Sequence, residues 1–473
     1  MARGAEVNPR QYQATALVKI EEYALERPTG KLLVVSPPGA GKTLMEAESF
    51  RILAANHGRR ALAWAHRREL AFQSYDHLIK CGVPREMMGV IVTGDPGHEG
   101  DRPAGYARRV APMAPIQVAT IGMLQSRDIP ADVVGSDEAH MDAAPGRRKL
   151  RERYPSALHL GFTATPCRLD GHPLDKEYDT LLEVSSVTEL IALGYLAEPR
   201  VFTVPKELLP DLAKVKRRGG DFDLGAASKA ANRKPIIGRI VEHWLRHAEG
   251  RLTVAFGVTR EHSKHIVRAF NAAGIKAEHL DGEATPKERA AVLARSKAGI
   301  TKVVSCCDLL STGWDAPWIK CVVLARPTES LALHIQQAWR CGRPFQGVKP
   351  IVLDHAGNCV RAGLGLPQEE RNWRDLWASG KSIGKGKAPS AKACDVCGSI
   401  CAIGSAVCAC GATFAVAAPS PLAPEKAGAL KEVVVSQETK DQAWTTILKV
   451  AVDVGADEAW ARKVYEARFG VAA

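Results

Sequence analysis

Residues 32–43 read LLVVSPPGAGKT, and these positions decide the fold of the chain's first half. The opening LLVV is an unbroken apolar run of strand character, and TLMEAESFRILAANHG, which follows the glycines, takes up helical spacing. Strand, glycine-rich turn and helix in that order is the setting of a phosphate-binding loop, because the first backbone N–H groups of a helix are left without partners and face an anion. Gly39 and Gly41 let the backbone close around phosphates, with Pro38 and Ala40 completing the loop. Lys42 brings a point charge to the terminal phosphates and Thr43 offers a hydroxyl to magnesium. Ser36 stands where the general pattern has glycine, and its small side chain still permits the turn.

Apolar runs recur outward from this loop. ALAWAH from Ala61, IQVATI from Ile116, VVGSDEAH from Val133 and LHLGFTATP from Leu158 alternate with helical segments, which predicts a parallel sheet covered by helices. The alternation resumes with LTVAFGVT from Leu252, KAEHLDG from Lys276, TKVVSCC from Thr301, CVVLARP from Cys321 and PIVLDHAG from Pro350. A second sheet of the same class is therefore predicted. Thr285, Pro286 and Glu288 supply a cap, a first helical position and a capping-box partner for a helix between two of its strands.

In VVGSDEAH, Asp137 and Glu138 fall at the carboxyl end of an apolar strand, the edge of a parallel sheet where ligands bind. Two acids there have separate uses. Asp137 can hold magnesium through its water shell, while Glu138 can orient and deprotonate an attacking water. A solvated acidic pair is the bland alternative, and the upstream phosphate loop argues against it.

SPPGAGKT, HRREL at His66, TIGM at Thr120, DEAH at Asp137 and TAT at Thr163 together resemble, in their order, the motifs of superfamily 2 helicases of the DEAD/DEAH-box group. The resemblance covers about residues 8–360 and is nearest to phage and prophage members that share a helicase half with type III restriction systems. It implies an α/β fold of two tandem RecA-like domains with ATP bound between them, the cleft closing on ATP and reopening after hydrolysis by a step along the strand. NPRQYQ resembles the family's adenine-reading segment, with Gln13 the base contact and Arg10 and Tyr12 its supports. His140, Thr163 and Thr165 would couple hydrolysis to movement. Gln336, Arg340 and Arg343 in QQAWRCGR resemble the arginine-finger motif, with Trp339 where a small residue is usual. LLSTGWDAP resembles the coupling motif, giving Thr312 to the bound strand and Gly313 and Asp315 to the nucleotide. Arg67, Thr120, Thr259 and Arg260 match positions that grip phosphates of nucleic acid.

The formal net charge of +12 over 473 residues favours a polyanionic partner, although a solvated basic face would give the same sum. No apolar stretch has the length of a membrane span and the start has no signal-peptide core, so a soluble, cytoplasmic protein is expected. Most of the twelve cysteines are scattered in apolar segments, but five crowd between Cys394 and Cys410. Cys394 and Cys397 form a CxxC pair, and Cys408 and Cys410 a tighter partner. Four thiolates suit structural zinc, with Cys401 able to substitute for a ligand and free thiols or a redox role as the alternatives.

The expected organisation is an ATP-binding domain over 1–200, a connection over 201–232 and a second RecA-like domain over 233–365. A basic linker over 366–392, a zinc-ribbon-like module over 393–415, a linker over 416–431 and a helical tail over 432–473 follow. The expected function is an ATP- and magnesium-dependent DNA helicase or translocase. The alternatives are an RNA-directed ATPase and a nucleotide-gated nucleic-acid clamp that does not hydrolyse.

Overall fold

The computed structural model describes residues 8–65, 68–92, 113–204, 206–248, 250–307, 316–360, 364–380, 391–393, 400–402, 413 and 431–433, and further on 441, 444–445, 447–449, 451–452 and 457–469. Two units are distinguished. The first comprises Met1–Arg168, His172–Ser186 and Asn372–Ser382, and the second Leu169–Gly171, Val187–Arg371 and Ile383–Ala473.

In the first unit, strands β1 (Lys31–Val35), β2 (Ala61–Ala65), β3 (Met88–Ile91), β4 (Ile116–Thr120), β5 (Val133–Asp137), β6 (Leu158–Thr163) and β7 (Thr180–Glu183) form one sheet in the order β3-β4-β2-β5-β6-β1-β7. All pairings are parallel. A parallel sheet needs cover on both faces, and the central strands are accordingly buried almost throughout. Ile20, Met45, Phe50 and Leu53 from the helices Gln11–Glu26 and Lys42–His57 cover one face together with Leu32, Val34 and Phe162.

The second unit contains β8 (Arg200–Thr203), a short hairpin of β9 (Arg217–Arg218) and β10 (Asp221–Phe222), and strands β11 (Thr253–Phe256), β12 (Ala277–Leu280), β13 (Val303–Cys306), β14 (Cys321–Leu324) and β15 (Ile351–Asp354). With β16 (Ala391–Ala393), β17 (Ile400–Ala402) and β18 (Lys431–Val433) they build a second sheet in the order β12-β13-β11-β14-β15-β8-β18-β17-β16. From β12 to β8 the pairing is parallel, whereas β18 adds antiparallel to β8, with Glu432 opposite Phe202. Both units thus have the parallel α/β build of tandem RecA-like domains. The predicted capping box forms: Thr285 accepts from the Glu288 N–H at 3.2 Å and Glu288 accepts from the Thr285 N–H at 2.8 Å.

Three boundaries differ from the sequence expectation. The first unit stops at Ser186 rather than 200, because Arg200–Thr203 finds its hydrogen-bond partners on β15. Residues 201–232 are more than a connection, since they carry β8, the hairpin and the helix Leu224–Ala231. The stretch 366–392 is not all linker: the helix Trp373–Ser379, capped by Asn372 and ended by left-handed Gly380, packs Trp373 and Trp377 against Leu33, Val35 and Tyr178 of the first unit. The tail's apolar stripe is used in packing, with Trp444, Ile447, Ala461 and Tyr465 clustered on Ala192. Among the described residues no helix is long and apolar enough to cross a membrane.

Candidate active site

The turn after β1 takes its shape from backbone bonds. The Ser36 N–H donates to the Thr163 carbonyl at 3.0 Å, tying the loop's start to the end of β6, and the Ala40 N–H donates to Pro37 at 3.1 Å. Gly39 and Gly41 have φ of +85° and +82°, the left-handed region in which a side chain is strained. Gly41 is constrained a second time, since a Cβ there would lie 2.5 Å from the Gln13 amide nitrogen. Lys42, first residue of the helix, donates its ammonium to the Ser36 carbonyl at 3.4 Å. The Thr43 hydroxyl has no partner among the described residues and stands one position on.

Two side chains from the first helix brace this loop. Tyr12 Oη and Gln13 Nε2 each donate to the Ala40 carbonyl at 2.8 Å, and Gln13 Oε1 accepts from the Arg10 N–H at 2.9 Å. Arg10, Tyr12 and Gln13 are therefore brought together against the phosphate loop. Pro38 and Ala40 lie within it, Ala40 buried and Pro38 half-buried.

Asp137 ends β5, two strands from β1 across β6, and Glu138 follows it with φ of +55°. Burial first, and then the Glu138 charge, hold the Asp137 carboxyl above its ordinary range, while the Lys42 ammonium and Arg147 pull it back. Lys42 thus acts electrostatically on Asp137 across the mouth of the loop. Glu138 Oε2 lies 3.3 Å from His140 Nδ1, and both side chains are almost fully buried. Thr163 donates to the Thr165 carbonyl at 2.9 Å, so the TAT turn is closed on itself directly beside the loop that Thr163 anchors. The donor set fits a magnesium nucleotide: an unpartnered hydroxyl, a carboxyl raised by burial and by the neighbouring acid, and a lysine.

Beneath the acids lies a shell that sequence reasoning missed. Glu46, one turn along the helix from Lys42, is 2% exposed and neither carboxyl oxygen has a hydrogen-bond partner. Its carboxyl is raised well above the ordinary range by burial, then by Asp137 and Asp142. A Cβ on Gly135 would come within 2.9 Å of Glu46 and 2.1 Å of Phe50, so glycine there lets this helix sit close on β5. On the other face of β5, Asp142 accepts from Ser136 at 2.7 Å, Arg147 at 2.7 Å and Tyr178 at 2.6 Å. A buried charge holds its place only when paired and hydrogen-bonded in this way. The sequence signal for Glu46 was its four-residue spacing from Lys42; for Asp142 there was none.

In the second unit, Gln336 lies on the fully buried helix Leu331–Ala338 and is itself 6% exposed. Arg340 and Arg343 follow, both half-buried. Lys320, also missed from sequence, fixes this segment's end: its ammonium donates to the Cys341 carbonyl at 3.3 Å and to that of Arg343, and burial lowers its pKa. Trp339, where a small residue was usual, is 4% exposed and donates from Nε1 to the Pro367 carbonyl at 3.1 Å. Its ring is accommodated because residue 342 is glycine, where a Cβ would lie 2.1 Å from it.

The nucleic-acid and coupling candidates divide. Arg67, Thr312, Gly313 and Asp315 lie outside the described residues, as do Cys394, Cys397, Cys408 and Cys410; Cys401 is described only as part of β17. Thr120 is 5% exposed at the end of β4. The Thr259 hydroxyl caps the helix Arg260–Ala272 by accepting from the His262 N–H at 3.3 Å and also meets Ser228 at 3.0 Å, which gives it a structural use. Arg260, 49% exposed, pairs with Glu283.

Residues 6–168 match the family described as type III restriction enzyme, res subunit, and residues 236–344 match the helicase conserved C-terminal domain. A 51.5 kDa protein of a Lactococcus phage (isolate 7-9) is 28% identical over 386 residues, 81% of this chain and 78% of that protein. A Saccharomyces cerevisiae protein named as an ATP-dependent helicase, IRC3, is 25% identical over 346 residues, covering 70% of this chain; the chain spans 49% of that relative. Among solved structures, a fragment described as an HsdR subunit of a type I restriction enzyme from Vibrio vulnificus is similar with a TM-score of 0.56 at 19% identity, over 75% of this chain and 66% of that one. This last likeness is one of fold.

Proposed function

Because the chain belongs to the superfamily 2 helicases, ATP-hydrolysing enzymes, and has an amino-terminal half of the type III restriction kind, we propose that it is a DNA helicase or translocase that spends ATP on moving along or separating DNA strands. The observation that carries this reading is the convergence of Lys42, Thr43, Asp137 and Glu138 at the carboxyl edge of one parallel sheet, with Lys42 and Asp137 acting on each other electrostatically.

Phosphoryl transfer needs positioning and charge neutralisation above all. Gly39 and Gly41 shape the loop, Lys42 meets the terminal phosphates, and Thr43 and Asp137 would hold Mg2+. That ion, when bound, supplies charge neutralisation between the phosphates. Glu138 orients the attacking water and takes its proton, with His140 steadying Glu138. Gln13, supported by Arg10 and Tyr12, reads the base. To Gln336, Arg340 and Arg343 we assign the further donors that the transferred phosphoryl group requires, with Lys320 setting the position of Arg343. His140, Thr163 and Thr165 couple turnover to the strand, Gly313 and Asp315 meet the nucleotide, and Thr312, Arg67, Thr120, Thr259 and Arg260 line the strand's path. Cys394, Cys397, Cys408 and Cys410 are assigned to structural Zn2+ on the spacing of their two pairs. DNA is preferred over RNA on the restriction-enzyme kinship of residues 6–168.

ATP turnover with single-stranded DNA, duplex DNA and RNA at several salt concentrations tests the proposal. DNA should stimulate most, and stimulation should fall steeply with salt. Lys42→Ala should weaken nucleotide binding; Glu138→Gln should keep it and lose turnover by about a hundredfold or more. Turnover indifferent to every nucleic acid would refute the reading.

A further inference from the structure

In the second unit the adjacent strands β12, β13 and β11 end side by side, and one connected set of polar side chains runs across those ends. Ser263, in the first turn of the helix after β11, meets Ser305 of β13 at 2.7 Å and His279 Nδ1 of β12 at 2.7 Å. The other ring nitrogen of His279 meets Asp281 at 3.0 Å. Asp281 also accepts from the Glu283 N–H at 2.9 Å and lies 3.5 Å from Arg260 Nε. Arg260 Nη1 in turn pairs with the Glu283 carboxylate.

Serine, histidine and aspartate in hydrogen-bonded sequence could signal nucleophilic catalysis. Here Ser263 and Ser305 are both 0% exposed, so no substrate reaches the hydroxyl, and the set can only position something. What it positions is Arg260, half in solvent at the end of the chain of bonds. The two acids on Arg260 differ. Asp281 has a 9% exposed side chain fixed by an imidazole and a backbone N–H, whereas Glu283 has a 72% exposed side chain whose carboxylate is held by Arg260 alone among the described residues. Burial raises the Asp281 pKa, but its bonds to His279 and the Glu283 N–H, with the Arg260 charge, bring it below the ordinary range, so Asp281 stays a carboxylate.

We propose that Arg260 grips a backbone phosphodiester of the nucleic-acid strand and that Glu283 occupies that phosphate's place until the strand arrives, while Asp281, held by His279, orients the guanidinium throughout. The fork of a guanidinium donates to carboxylate and phosphate oxygens in the same geometry, so one can replace the other without moving Arg260. An exposed ion pair is weak, which allows the exchange: its loss should alter strand affinity by about two- to fivefold. The inference rests on the assignment of Arg260 to nucleic acid made above, and adds to it a competing anion within the chain.

The test is the Kd of the full chain for a labelled single-stranded DNA oligonucleotide, without nucleotide and over a range of salt, for the unaltered protein, Glu283→Gln, Arg260→Ala and the double variant. Glu283→Gln should tighten binding about two- to fivefold. Arg260→Ala should weaken it and lower the salt slope by about one ion. In the Arg260→Ala background, Glu283→Gln should then do nothing, which a double-mutant cycle reads directly. Equal tightening with and without Arg260 means that Glu283 merely repels the strand, and overturns the exchange. Weakening by Arg260→Ala without tightening by Glu283→Gln overturns it too, leaving Arg260 as a contact. If Arg260→Ala changes neither Kd nor slope, the assignment of Arg260 itself fails.

Discussion

The side-chain amide of Gln13 donates to the Ala40 carbonyl at 2.8 Å while its oxygen accepts from the Arg10 N–H, so one glutamine fastens the start of the first helix to the crown of the phosphate loop. Since Gln13 is also the residue proposed above to read the base, its removal reports on both. Gln13→Ala should therefore raise the KM for ATP by about tenfold, the worth of a lost hydrogen bond or two, and narrow the preference for ATP over GTP. Tyr12 still holds Ala40, so the fold should survive. An unchanged KM and base preference would remove Gln13 from the site.

Trp339 and Gly342 fit as a pair. Gly342→Ala should drive a Cβ into the indole and cost about 1–3 kcal/mol, with ATP turnover falling because Arg340 and Arg343, assigned above to the phosphoryl group, are next in sequence to Trp339 and Gly342. Trp339→Leu in the same chain should recover part of the lost stability. Thermal melting of the three variants checks this, and a neutral Gly342→Ala would refute the pairing.

Glu138 sits at φ of +55°, where side chains are strained. Glu138→Gly should raise stability by about 1 kcal/mol, the strain released less the chain entropy that glycine brings, while abolishing hydrolysis. A melting temperature that does not rise would show the geometry to be unstrained.

Glu46 carries a cost that varies with pH. Its folded-state pKa lies well above the ordinary 4.5, so the folded chain holds this proton more tightly than the unfolded chain. Stability therefore falls as pH climbs from about that value toward the folded pKa. Glu46→Met should stabilise the protein at neutral pH by about 1–3 kcal/mol, with the gain shrinking as pH is lowered toward the ordinary glutamic acid range. Melting curves at pH 5 to 8 (roughly the span over which the group's unfolded form is charged) would contradict this if the gain were constant.

The hydroxyl of Tyr178 completes the set of donors on buried Asp142. Tyr178→Phe should cost about 1.5–3 kcal/mol, as expected for a hydrogen bond to a charged group. Denaturant unfolding that shifts by less than that range would mean that Ser136 and Arg147 alone satisfy Asp142.

The phosphate loop, the acid pair and the ten strands flanking helical segments could be read directly, because apolar runs such as LLVV and IVLD carry their burial in their composition. MGVI at β3 and RVFT at β8 do not stand out as strands in the sequence: each is short, and β8 begins on an exposed arginine after a proline. Glu46 and Lys320 were hidden for a different reason. Charged residues default to solvent in any sequence reading, and only tertiary packing places these two inside. Trp373 and Trp377 show the same limit, since a Gly- and Lys-rich neighbourhood concealed a helix whose purpose is to bury two indoles.

The antiparallel addition of Lys431–Val433 to Arg200–Thr203 also bears on how the protein can be shortened. A row of backbone donors and acceptors on β8 would otherwise stand open, a template for any extended peptide. Trimming the chain after residue 380, as one might to isolate the motor, would bare that row and invite self-association in place of a well-behaved monomer.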